Sequence, residues 1–508
     1  VAERAAVAWV DEHPSGPPRG ACRDNSAFIL ACLLCVLSIP SQAAVRVEYR
    51  TGRIFGLFMF ATTIADVPSR PRALGDIFRA SPYNTPETQA RIAAFKAIHR
   101  DLQQGVDFEG FPPGRPNGAT LEQLFTWRTL DARDLTELRR TTQGLLPLAQ
   151  QDRYFEILSS FEAIYDSLIW MPSEAKLVDY VARFQRIAPE TQLDAMFDAA
   201  AHFYGAAWPR DLPFTVALYP IPAKRGSTSA ESAGSLETVA VLLDEEDLPG
   251  RFAVMFHEMC HSLYESQSAA FQQEFESFYA EIGTPHSKVA HSLINEALAT
   301  AVGNGWGFEQ VTGHQDDTQW YADAAIDGFA KAISPLVTDY LTQGRTLDRA
   351  FARQSVEIFQ ARFPDAPYQF DALFREIVLL TDGETMRSAE VRDALRRQFR
   401  ISSIYSSEPA DGEGALGYVR EQGATLIVAV GSGQVDQLSA LESELPLLAD
   451  RLRELRAETR DVLFVGTTEG RTVIVMKLSG QQALGRAFDE LRKIGRSDPT
   501  LVEWRILE

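Results

Sequence analysis

Residues 252–265 read Phe-Ala-Val-Met-Phe-His-Glu-Met-Cys-His-Ser-Leu-Tyr-Glu, and no other stretch restricts the fold so tightly. Phe252, Met255, Phe256, Met259 and Leu263 recur at i, i+3, i+4, i+7 and i+11, which is the spacing of one buried face of an α-helix. On that helix His257 and His261 stand one turn apart, so both imidazoles can reach a single tetrahedral Zn2+ at about 2.0–2.1 Å. Glu258 stands beside them, directed at a water on the cation rather than at the cation itself. Zinc brings the pKa of such a water towards neutrality, and a carboxylate can take its proton as the oxygen attacks a carbonyl.

Two histidines leave such a site incomplete, because a catalytic zinc takes three protein donors and keeps one position open. A third histidine six residues on is ruled out, since Gln267 stands there and Tyr264 occupies the place of the glycine that such a pattern needs. Glu296 is the stronger candidate. It lies thirty-five residues after His261 in Asn295-Glu296-Ala297-Leu298-Ala299-Thr300, a charge amid small and apolar residues on what reads as a second helix. A buried carboxylate is costly unless paired or bound to metal. His286, His291, Glu265, Glu274 and Glu276 remain alternative donors, with Glu265 expected to be solvated or to sit behind the ligands and His291 to lie near the site. Cys260 faces away from the histidines and reads as a small core residue.

His257-Glu258-x-x-His261 with the distant Asn295-Glu296-x-x-Ala299 resembles the gluzincin family of metallopeptidases. The likeness is confined to the motifs, within about residues 210–345. It implies His257, His261 and Glu296 as ligands and Glu258 as general base. It also implies a strand beside the metal helix that pairs with an extended substrate, supplied by Phe214 to Ile221 or by Leu236 to Leu243. Thermolysin-like members carry an aspartate four residues after the ligand glutamate to orient the first histidine, where this chain has Thr300. The family further uses a downstream Tyr or His to stabilise the oxyanion; His314, Tyr321 and Tyr340 are candidates, Tyr321 the preferred one.

The rest of the chain supplies the setting. At 508 residues, with 45% hydrophobic and 23% charged residues, it suits two or three globular domains. A formal charge of −20 without a basic stripe excludes a nucleic-acid partner. Ser26 to Ile39 is an apolar run preceded by Arg19 and Arg23 and followed by small residues up to Ala44, the pattern of a signal peptide and too short to span a bilayer. Residues 1–44 are therefore expected to be removed, leaving an exported (periplasmic or secreted) protein that is not an integral membrane protein. Cys22, Cys32 and Cys35 would go with them, leaving Cys260 without a disulfide partner.

The expected fold is α+β, with a mainly helical, zincin-like catalytic domain built on a small sheet. Residues 45–207 read as a helical subdomain opening on an extended-looking stretch, in which Ile54 to Phe60 fits a strand or a short helix. Residues 208–408 form the catalytic domain, with two strands joined by a small polar loop from Gly226 to Gly234. Ser407 to Gly417 reads as a linker, and 409–508 as a second domain of order βαββαβ, that of a ferredoxin-like sandwich. The expected function is hydrolysis of peptide or protein substrates. The rivals are a zinc hydrolase of another amide or ester, and an exported zinc-binding or inactive peptidase-like protein acting as a binding module. Oligomeric state is not legible.

Overall fold

The computed structural model describes residues 45–507 except 68–69, 106–107, 113–114, 116–117, 188–191, 224–227, 400, 402, 422–423, 469–470 and 498–501. The expected signal segment, 1–44, lies outside the described residues. The extended-looking start narrows to a short strand β1 (Val47–Arg50), and the apolar run after it is a helix, α1 (Arg53–Ile64). Every residue of α1 from Ile54 on is buried, so the run shows no amphipathic period that could have told helix from strand.

Further helices between Arg72 and Trp170 pack with α1 into one apolar core, whereas the helices Met171–Phe184 and Leu193–Tyr204 join the core on the other side of the sheet described next. The chain then enters a four-stranded sheet through β2 (Phe214–Ile221), β3 (Ala230–Ala233) and β4 (Leu236–Leu242), in the order β1-β2-β4-β3. β1, β2 and β4 are parallel, while β3 runs antiparallel to β4 along the edge. Both strands expected to offer a free edge, β2 and β4, are interior, and the edge strand comes from the segment expected to be a loop. Its residues Ala-Glu-Ser-Ala are short and half-buried, which hides an edge strand from any hydrophobic pattern.

The sheet separates two cores. Ala217, Tyr219, Ile221 and Ala240 face the helices of residues 54–169, whereas Val216, Leu218, Val239 and Val241 face a second helical layer. That layer contains α2 (Leu248–Glu265), α3 (Pro285–Ala299), a π-helical stretch Thr300–Gly307, and α4 (Ala324–Gln343).

The C-terminal part is a six-stranded sheet made of β5 (Glu376–Thr381), β6 (Ser403–Ser407), β7 (Thr425–Gly431), β8 (Val462–Thr468), β9 (Arg471–Leu478) and β10 (Glu503–Ile506). The expected order of elements from β7 to β10 is present, but the sheet differs from a ferredoxin-like one. The strand order is β10-β8-β9-β7-β5-β6: β5 occupies the free side of β7, and β10 is displaced to the outer side of β8. β7 is fully buried and lies between two parallel neighbours. Helices α5 (Ser388–Gln398) and α6 (Gln481–Ile494) cover one face, and residues such as Val419, Leu441 and Leu452 the other. The layer thus starts before β5 and not at residue 409, because β5 and β6 complete the same sheet. Residues 45–508 form a single compact unit of mixed α/β structure in which helix predominates. Among the described residues no helix is long and apolar enough to cross a membrane.

Candidate metal centre

α2 opens on Leu248 and Pro249 behind the Asp247 cap, whose Oδ1 accepts from Gly250 N at 2.9 Å, and is then buried from Phe252 to Tyr264 save Val254. Its cleft-facing turns present His257 and His261, only 5% and 8% exposed, with Nε2 atoms 3.0 Å apart. α3 crosses α2 and brings Glu296 Oε2 to 3.7 Å from His257 Nε2 and 3.5 Å from His261 Nε2. Donors 2.0–2.1 Å from a tetrahedral ion lie about 3.3 Å from one another, so this triangle has the dimensions that one metal ion demands. These three residues are the group among the described ones whose ligand atoms converge in this way.

The Nδ1 atoms settle which way the rings present their lone pairs. His257 Nδ1 lies 2.9 Å from Asn304 Oδ1, and His261 Nδ1 lies 3.0 Å from Asn295 Oδ1. An amide oxygen accepts only, so each Nδ1 carries the proton and each Nε2 turns a lone pair to the centre. Two lone pairs at 3.0 Å repel unless positive charge lies between them. Glu296 Oε2 is likewise buried with no hydrogen-bond donor among the described residues. With no ion bound, a proton on His261 Nε2 takes that place: burial opposes charge on His261, yet Glu296 lifts its pKa to about 10. Burial also works against the Glu296 carboxylate, but His261 and His257 hold its pKa well below the usual range. The pocket calls for a cation, and its donor set of two imidazoles and a carboxylate fits a divalent metal.

Thr300 does not take the role of the missing aspartate. Its Oγ1 is buried without a partner among the described residues, and Asn304, one turn further along the π-helical stretch, orients His257 instead. That stretch lies unusually close to α2. A Cβ on Gly303 would stand 2.5 Å from His257 N and Cα, so only glycine fits.

Glu258 is 7% exposed, and burial raises its pKa, an effect that His257 and His261 oppose and Glu296 reinforces. It lines a cleft of about 920 Å³ together with the three candidate ligands, β3 and Tyr321. The Tyr321 ring stacks on His257, with centroids 5.9 Å apart and planes at 18°. Asp327 Oδ1 accepts from Trp320 N and Tyr321 N at 2.7 and 3.2 Å. Asp323 Oδ1 caps α4, and its Oδ2 pairs with Arg375 Nη2 at 3.0 Å.

The other sequence candidates disperse. His314 is exposed against Phe308, and Tyr340 donates to Asp348 away from the cleft. His286 is half-buried, with Nε2 2.9 Å from Pro364 O, and does not line the cleft. His291 packs on Tyr279, where burial first and Arg115 second lower its pKa to about 4, and it does not line the cleft. Glu274 and Glu276 lie outside the cleft, whereas Glu265 lines it, its pKa pushed to about 7 chiefly by burial. Cys260 is buried in the core, as expected.

No family model, curated protein or solved structure matches the chain. What the site can do is therefore read from its own residues. Those the sequence reading missed are Asn304, Arg375 and Glu237, the last a fully buried carboxylate on β4 with neither oxygen hydrogen-bonded among the described residues. Glu237 had a visible signal, a charge inside the apolar run Leu-Glu-Thr-Val-Ala-Val-Leu. Asn304 had none, because its spacing from Glu296 points at His257 only through a π-helical turn.

Proposed function

We propose that the chain is a zinc-dependent peptidase with a zincin-like catalytic fold, acting outside the cytoplasm. One observation carries this reading: three donors at tetrahedral spacing, both imidazoles oriented by asparagine, with a buried glutamate adjoining them in an open cleft. His257, His261 and Glu296 would hold the ion, which supplies Lewis acidity where water and a substrate carbonyl meet.

Glu258 takes the proton of the attacking water and passes it to the leaving amine, a task suited to a carboxyl whose pKa burial has raised. Tyr321 is the proposed donor to the carbonyl oxygen as charge develops there. β3, which lines the cleft and pairs on one side with β4, offers its backbone to an extended peptide.

The test combines metal analysis with digestion of a peptide library. About one zinc per chain is expected, with cleavage that Glu258→Gln abolishes while zinc is retained. Bound zinc without cleavage of any peptide would leave a binding protein, and cleavage of esters or other amides alone would make it a different hydrolase.

A further inference from the structure

The cleft is lined by five glutamates, Glu122, Glu231, Glu258, Glu265 and Glu296, and by two arginines, Arg70 and Arg251. Both arginines are already engaged. Arg70 is clasped by Glu122, with Nη2 2.7 Å from Oε1, and by Glu231, while Arg251 pairs with Glu245 at 2.7 Å. Glu296 faces the two imidazoles, and Glu258 is the proposed base.

Glu265 is left over. It follows His261 by one turn of α2 on the cleft side, and its carboxylate makes no ion pair or hydrogen bond with any described residue. The neighbouring cation, Arg115, is committed elsewhere: its Nη2 donates to Tyr264 O at 2.9 Å and to Gln267 Oε1 at 2.8 Å, and its guanidinium covers the Tyr264 ring at 3.9 Å. A half-buried carboxylate that faces the cleft with no ion pair or hydrogen bond among the described residues, and on which His261 and Arg115 act only at longer range, gains from any cation that docks directly beside it.

We infer that Glu265 is a specificity-determining residue that binds a cationic group of the substrate, either a Lys or Arg side chain or the free α-ammonium. The inference rests on the peptidase reading for its substrate class. The four residues from His261 to Glu265 advance about 6 Å along the helix axis, a distance a basic side chain can span from a backbone held beside the histidines. The net charge of −20 adds a field that draws cationic peptides in.

The test uses fluorogenic peptides carrying one Arg moved through successive positions, each paired with a citrulline isostere, and each made with a free or an acetylated N-terminus. At one position the wild-type enzyme should favour Arg over citrulline at least tenfold in kcat/KM. Glu265→Gln should bring that ratio to within about twofold, and Glu265→Asp should keep part of it. A ratio does not depend on the fraction of enzyme folded. A preference for free over acetylated N-termini, lost in Glu265→Gln, instead assigns the α-ammonium as the bound group. Wild-type ratios near one both for Arg over citrulline and for free over acetylated N-termini, or ratios unchanged in Glu265→Gln, overturn the inference. If no peptide is cut, the peptidase reading fails by itself. Fluorescence anisotropy of the same peptides with zinc-loaded protein then decides: tighter binding of the cationic peptides by wild type than by Glu265→Gln supports the inference, and equal or absent binding overturns it.

Discussion

Asn304 and Asn295 would act on a bound metal without touching it. Each fixes an imidazole tautomer, and removing such an orienting acceptor commonly costs 10- to 100-fold in metal affinity. Asn304→Ala should therefore weaken zinc binding by roughly that factor in a chelator competition, while Asn304→Asp should retain it. Glu237 raises a different issue. Glu237, like Glu296, is a carboxylate among apolar neighbours, yet of the two only Glu296 reaches the histidines. Burial, with Glu258 adding to it, raises the Glu237 pKa well above its ordinary 4.5, so the folded protein binds a proton there that the unfolded chain releases. The stability this group contributes is complete below pH 4.5 and declines as pH rises towards the folded-state pKa, by about 1.4 kcal/mol per pH unit. Urea titrations across pH should show Glu237→Gln more stable than wild type at neutral pH and lacking this component of the slope.

Individual elements were legible where their signal was local. α2 could be read from its apolar period and its histidines, and β2, β4 and β7 from their apolar, β-branched runs. Elements defined by distant partners were not. β3 is too short and polar to look like a strand, and β5 gives no sign in its own residues that it will pair with β7 and so move β10 to the far side of β8. The π-helical stretch is likewise set by tertiary contact, with Gly303 seated against the His257 backbone. Gly303→Ala should separate that stretch from α2, destabilise the protein by about 1–3 kcal/mol in thermal or urea melts, and weaken zinc binding through the displaced Asn304.

Across the whole molecule, the ion pair between Arg375 and Asp323 joins the six-stranded sheet to the segment carrying Tyr321. Both side chains are only 11% exposed, so the contact is shielded from solvent. Arg375→Ala should lower kcat roughly 10- to 100-fold with a smaller change in KM, because it loosens the position of Tyr321, the group proposed to act on the reacting carbonyl. If Arg375 works through Tyr321, adding Tyr321→Phe to that variant should cost little more, and additive losses would show an independent role. The order of synthesis gives this brace a further meaning. A growing polypeptide has made His257, His261, Glu296 and Asn304 well before it has made β7, β8 and β9, the interior of the sheet that steadies Arg375. A nascent chain can thus gather its metal ligands early, while Tyr321 gains its support only once the later strands have emerged.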